Sequence, residues 1–559
     1  MKRNIFTLAI ILLVSMPQSI FSQAGKKPLD HDAIESWKRI TETAISPDGK
    51  YIVYKTEPWR GDPELFIYSQ KGDRIKSFSC GSSASFTYDS KFVVFDILPS
   101  YNVIKELTLK KTKKEDMPLK STVIFELAGA REIKIERTRS VSVPALWNGI
   151  VAFQVEPAGD EAEPASTRKE SSKNGYTLHL FNPVTGDTVT YPFVTSYRLA
   201  DKSPGIIFTS TGDENGFEQG VYSYNPSTGN LANLYNGKAD FKQVIISDDA
   251  TRAAFLVNPE DDGKENDFML YYWDGNGQAS LLADNSVSGL PANWMISDNG
   301  RLQFSDNMKR IFLGTAPVMP EKDTMRYDDE YPNVDIWLGT EGKLHTVQVV
   351  DKNRDMRRTW MATIDLSNSR FVQLATPEIP DISLINDGNS EWVMASSNMP
   401  YELQTMWEGS PEHIDLYLIN VLTGEKKVIK KDVRVMPMTS PAGKYLAWYD
   451  YITESLYTYN IATGTEKMVT SPDKVRMAQE VNDIPNPAYP YQPTGWMSDD
   501  SKILVNDRYD IWMVDPDGRA EPVNLTVNGR TTVTSYNNIS FDRDKKFSLQ
   551  EELLLAGAE

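Results

Sequence analysis

Cysteine is nearly absent: the 559 residues contain one, Cys80. A single thiol excludes an internal disulfide framework. Stability must come from apolar burial, and the chain is long enough to supply it. Cys80 itself reads as a small buried residue in a strand or tight turn rather than a reactive thiol. Histidine is also scarce, with His31, His179, His345 and His413 only. One Cys and no two His at finger or helical spacing exclude a zinc site. Long apolar runs are missing after residue 14, so no later segment reads as a membrane span. Positive charge is in deficit. Residues 1–22 contain Lys2, Arg3 and no acid; without them 57 of the 59 Lys+Arg remain against 77 Asp+Glu, a net charge of −20. Such a surface repels phosphate backbones, and nucleic acid is excluded as a partner.

The amino terminus supplies the compartment. Lys2 and Arg3 precede the apolar run Ile5 to Val14, and small residues follow at Ser19, Ser22 and Ala24. This is the pattern of a secretory signal peptide over residues 1–22. The run is shorter than the roughly 20 residues a span requires. No Cys follows it, so a bacterial lipid anchor is not expected. The expected location is secreted or periplasmic.

Most of the remaining sequence is repetitive. An alternating strand, the turn Asn-x-x-Thr-Gly and a second strand recur at Asn182 to Gly186, Asn225 to Gly229, Asn420 to Gly424 and Asn460 to Gly464. The Asn side chain can accept from backbone two residues on, and Gly supplies the left-handed position that closes the turn. Looser copies lie at Ser69 to Gly72, Glu126 to Gly129, Asp274 to Gly277, Thr340 to Gly342 and Asp515 to Gly518. A second unit, Ser-x-Asp-Gly-Lys before an apolar strand, is clearest at Ser46-Pro47-Asp48-Gly49-Lys50. Its variants begin at Tyr88, Ser247, Ser297, Ser440 and Ser498.

Two hairpins per repeat of about 40–50 residues make a four-stranded antiparallel blade. The fold class expected is all-β: a β-propeller of about eight blades (seven to nine) over residues 43–559, after a segment 23–42 with one short helix. That helix is expected around Asp32 to Ile40 with Asp30 as its cap. The Lys-rich stretch 105–118 and the polar stretch 155–175 read as solvated excursions.

Several stretches together resemble one family. They are Lys27-Pro28-Leu29-Asp30-His31 with Trp37, Ile45 to Lys50, the run ending in Asp116-Met117-Pro118, Pro411 to Tyr417, and Tyr509-Asp510-Ile511-Trp512. The chain is similar to the N-terminal β-propeller part of secreted, dipeptidyl-peptidase-like serine peptidases of the prolyl oligopeptidase family, of the kind seen in Bacteroidetes-like bacteria. The resemblance implies a propeller that limits substrate entry to a C-terminal α/β-hydrolase domain bearing a Ser–Asp–His triad.

The hydrolase signature itself is missing. A nucleophile elbow needs Gly-x-Ser-x-Gly, and the two Gly-x-Ser stretches end wrongly: Gly81-Ser82-Ser83-Ala84-Ser85 in Ser and Gly388-Asn389-Ser390-Glu391-Trp392 in Trp. No His follows His413, although the triad order places His last. The acidic stretch Asp261 to Asp267 lacks the spacing of a calcium loop, the aromatic residues read as blade packing, and the pair Glu551-Glu552 receives no role. No catalytic, cofactor-binding or metal-ligating residue is therefore assigned. The expectation is a substrate-gating propeller without its hydrolase, from a truncated gene or standing alone, with peptides or a protein partner in its funnel. The alternative is a TolB-like periplasmic scaffold that binds a protein or peptide partner.

Overall fold

The computed structural model describes residues 30–157, 169–213, 215–259, 267–320, 325–332, 334–491, 493, 495–539 and 547–559. The expected signal peptide over residues 1–22, most of the acidic stretch 261–267 and part of the excursion 155–175 lie outside the described residues. The chain divides into two compact units, Met1–Val194 and Thr195–Glu559. Both are built from antiparallel meanders of the β-propeller blade type.

Unit 1 opens on the helix His31–Ser36, capped by Asp30, whose carboxylate accepts from Ala33 N at 2.7 Å. The helix stops four residues short of the expected end, because Lys38–Ile45 is already a strand paired with Tyr51–Pro58. Three sheets follow. Sheet 1 spans 38–79, sheet 2 spans 81–135, and sheet 3 runs from Thr138 through the first half of the long strand Thr188–Leu199. Unit 2 continues with sheet 4 (195–236), sheet 5 (239–283), sheet 6 (294–373), sheet 7 (381–433), sheet 8 (435–470) and sheet 9 (495–524). Among the described residues nine blade-type sheets result, at the upper limit of the expected range, with sheets 3 and 4 continuous through the strand Thr188–Leu199 and a two-stranded pair following sheet 9.

The second strand of most sheets is apolar over most of its length and buried on both faces, and the cores show why. In sheet 2, Val93 and Phe95 pack with Val53, Leu65 and Ile67 of sheet 1. The intervening Phe92 and Val94 pack with Val151 and Phe153 of sheet 3. The period-2 alternation of a strand thus serves two cores, one on each face. Unit 2 repeats the device: Tyr445, Ala447 and Tyr449 of sheet 8 face sheet 9, while Leu446 and Trp448 face sheet 7. Each of the Val, Leu, Ile and Phe side chains among them contributes about 1.5–3 kcal/mol of burial. The outer face of sheet 9 is covered by Tyr536, Phe547 and Leu555. These belong to or flank the final pair Ser535–Asn538 and Leu555–Ala558.

The hairpins form as their turn chemistry dictates. In all four strict copies the Asn Oδ1 accepts from backbone N–H groups two or three residues on, at 2.9–3.3 Å. The closing Gly has φ between +69° and +85°. Four loose copies also join third and fourth strands. The fifth, Thr340 to Gly342, does not. It lies in a long excursion between Arg310–Pro317 and Trp360–Asp365. The true turn of sheet 6 is 366–370, where Ser369 takes the left-handed position at φ +56°. Likewise, the first turn of sheet 6 is Ser305 to Lys309 rather than Ser297 to Gly300. Gly300 is required for a different reason: a Cβ there would stand 2.3 Å from Gly314 Cα.

Because each sheet is a meander, its tight first and third turns share one edge and its middle connection lies at the other. In sheets 2 to 7 the middle connection is the longest. Sheet 2 carries the helix Tyr101–Leu109, which begins before the Lys-rich stretch, sheet 6 carries His345–Asp355, and sheet 7 carries Glu402–Glu408. No helix among the described residues is long and apolar enough to cross a membrane.

Candidate functional site

The first turns of sheets 1, 2 and 5 are built around an acidic side chain, and that of sheet 6 around the amide of Asn307. In the turn at Ser46, Asp48 Oδ1 accepts from Ser46 Oγ at 2.7 Å and Lys50 N at 3.1 Å. The serine bond, foremost, holds the Asp48 carboxyl down at about 2. Thr87 with Asp89 and Ser247 with Asp249 repeat the motif at 2.7 and 2.6 Å. Burial opposes ionisation of Asp249, yet Ser247 and the Thr251 hydroxyl and N–H outweigh it and hold the carboxyl below its ordinary range. Sheet 8 departs from the pattern, since Ala442 occupies the acidic position. Asp500, from the first turn of sheet 9, supplies the carboxylate instead: it accepts from Ser440 Oγ (2.6 Å), Ala442 N (2.8 Å) and Lys444 N (2.9 Å).

In unit 2 the turns of sheets 4, 5 and 6 surround a cleft of about 420 Å3. This falls within the usual 300–1,000 Å3 of small-ligand sites. Its apolar walls are Leu199, Ile245, Ile246, Leu302, Phe304 and Met308. Gln243 sits in a bulge with φ +49° and donates to Asp298 O at 2.9 Å. A bulge of this kind re-aims its side chain. Lys202 spans the rim, with Nζ 2.8 Å from Asp248 and 3.9 Å from Asp306. Its hydrogen bond to Asp248 raises the lysine above its usual range. Arg252 Nη1 donates to Met308 O at 2.8 Å and fixes the far side.

Two further cations, Arg198 and Arg301, line the cleft. Both are exposed, and neither has a hydrogen-bond or ion-pair partner among the described residues. The cleft therefore offers apolar walls, a rim of mutually paired charges and two uncommitted guanidinium groups. In unit 1 a smaller hollow, of about 180 Å3, has a single cation, Lys91, which is paired with Asp89 at 3.7 Å.

None of the four histidines lies in the cleft. His179 stacks on Phe153 at 5.0 Å, and burial pushes its imidazole down. His345 begins a helix beside Trp337 and Asp335, and His413 bridges Asp432 (2.7 Å) and Glu408 (3.2 Å). Ser82 belongs to a strand and donates to Glu42 at 3.1 Å. The Gly388–Ser390 turn is strapped by Arg310, whose Nη1 donates to the carbonyls of Gly388, Asn389 and Ser390 at 3.2–3.3 Å. Cys80 is a buried turn residue with φ +60°, and burial raises its thiol. Glu551 and Glu552 precede the last strand, away from the cleft. Sequence reasoning assigned nothing to Arg198 or Arg301. Arg198 lies near a strand end in a stretch without a motif, Arg301 takes the last position of the repeated unit that begins at Ser297, and only the stacking of sheets 4 to 6 brings them to one cleft.

No family model and no curated protein sequence matches the chain. Solved structures are similar in fold alone. A eukaryotic initiation factor shares 12% identity over 70% of this chain and 78% of its own, with a TM-score of 0.35. The β-propeller domain of the Trilobed protease from Pyrococcus furiosus shares 11% over 71% and 99%, with a TM-score of 0.27. A prolyl endopeptidase shares 8% over 78% and 50%, with a TM-score of 0.30, so this chain spans half the length of that protein.

Proposed function

We propose that this chain is the substrate-docking propeller portion of a prolyl-oligopeptidase-like serine peptidase, acting in a secreted or periplasmic setting, with the hydrolase outside this sequence and no catalysis by the chain alone. The observation that carries the reading is the unit 2 cleft. It combines apolar walls, uncommitted cationic donors and a volume suited to one or two amino-acid residues. The sequence resemblance supports the same assignment.

The test is equilibrium binding of a fluorescent pool of dipeptides and tripeptides to the purified chain, with a fluorophosphonate probe in parallel. Peptide binding without serine labelling is the expected result. Labelling of a serine with turnover of proline- or alanine-containing peptide amides overturns the non-catalytic part, and the absence of any peptide binding overturns docking.

A second reading has its own observation. The excursion 318–359 and the helix Glu402–Glu408 expose Trp337 (65%), Val350 (82%) and Trp407 (86%), more large apolar surface than isolated residues would account for. A TolB-like scaffold would bind a partner protein there. Capture of a folded partner that is lost in Trp337→Ser and Trp407→Ser, with no peptide binding, would favour it.

A further inference from the structure

Resting on the peptide-docking reading, we infer that the cleft recognises the free carboxylate at the C-terminus of a short peptide with an apolar last residue, through Arg198 and Arg301. Seven charged side chains line the cleft, four acids and three bases. Their commitments differ by sign. Asp248 and Asp306 face Lys202, and Asp249 is satisfied by Ser247 and Thr251. Asp201 adds its charge beside the same lysine. These acids have little left to offer a ligand ammonium.

The guanidinium groups stand otherwise. Each carries five donors in a planar fork that matches a carboxylate in two-point geometry. With no partner among the described residues, neither must break an existing bond to receive one. The neighbouring walls fix the rest of the ligand. Ile246, Phe304 and Met308 are half-buried and face the cleft, so an apolar side chain can leave water beside a carboxylate held by arginine. A ligand that is anionic at one end and apolar next to it satisfies both features. An amino terminus gains no partner.

The experiment is calorimetric titration of the full chain with Ala-Ala-Leu as free acid, as C-terminal amide and as N-acetylated acid. The free acid is expected to bind about tenfold or more tightly than the amide, as loss of a charge-assisted pair requires. N-acetylation is expected to change affinity by less than about twofold, since the acids are already engaged. In Arg198→Gln and Arg301→Gln the preference for acid over amide should shrink towards unity. Both side chains are exposed, so the melting temperature of either variant is expected to match the parent. The peptide-side comparison needs no variant at all. Equal binding of acid and amide overturns carboxylate recognition and leaves docking standing. Retention of the full preference in both variants also overturns it, by removing the two arginines from the account. Failure of all three peptides to bind overturns this inference and the docking reading together.

Discussion

The borrowed carboxylate of Asp500 offers a sharp test of how the turns hold sheets together. In the turn at Ser46 the acid, Asp48, is local and Gly49 takes the left-handed position. In sheet 8 the local acid is missing, Gly443 is left-handed, and Asp500 reaches across from sheet 9, where it is itself left-handed at φ +62°. Asp500→Gly keeps that backbone conformation and deletes only the side chain. Three hydrogen bonds to a buried carboxylate disappear, and a fully buried bond of this kind is worth about 1.5–3 kcal/mol. The N–H groups of Ala442 and Lys444 are near the surface and can turn to water, whereas Ser440 is buried. A net loss of about 3–4 kcal/mol follows. Unit 2 runs from 195 to 559, hence 365 residues, with an unfolding entropy of about 0.77 kcal/mol/K. Melting as one cooperative unit, it should fall by about 4–5 °C. Ala442→Asp restores a local acid. It should raise the melting temperature in the Asp500→Gly background and lower it in the parent, where two carboxylates would crowd one turn. Calorimetry of the four proteins measures both. An Ala442→Asp shift of the same sign and size in both backgrounds would show that Asp500 does not stand in for the missing turn acid.

Further outcomes follow from other contacts. Arg310→Met leaves the carbonyls of Gly388, Asn389 and Ser390 without their donor, and urea denaturation should register a loss of about 3–5 kcal/mol. Gly314→Ala places a Cβ 2.4 Å from Gly300 Cα and should cost about 1–3 kcal/mol by the same assay. The carboxyls of Asp48, Asp249, Asp499 and Asp510 all sit below their ordinary value of 3.8. A depressed carboxylate stabilises fully above its unfolded value and loses that contribution as pH falls through the folded one. Stability should therefore hold down to about pH 4 and decline towards pH 2. A melting temperature that stays flat across that window contradicts these turn assignments.

The fold was legible because blade chemistry is local. Asn182, Asn225, Asn420 and Asn460 each build their own turn from residues within four positions, and a strand such as Phe92 to Phe95 announces burial on both faces by having no polar residue. Errors arose where sequence and contact diverge. Gly300 looks like a turn glycine, but its smallness serves an approach to Gly314. Thr340 to Gly342 carries turn residues without strands to join. Ser305-Asp306-Asn307-Met308-Lys309 lacks the glycine that marks its relatives, since Met308 accepts the left-handed position. The helix His345–Asp355 has an exposed apolar surface at Val349 and Val350, so its periodicity does not mark a core. The cleft was illegible for a further reason. Arg198 and Arg301 are 103 positions apart, and nothing local to either tells that sheets 4 and 6 bring them to the same space.

Peptide docking in the unit 2 cleft is the proposal on which the functional reading rests. Hydrogen–deuterium exchange of the full chain, with and without saturating Ala-Ala-Leu, tests it most directly. Slower exchange is expected in 198–205, 243–250 and 301–309, with the excursion 334–358 unchanged. Protection confined to 334–358 and 402–408, with the three cleft segments unaltered, would contradict it and move the binding surface to the exposed apolar face.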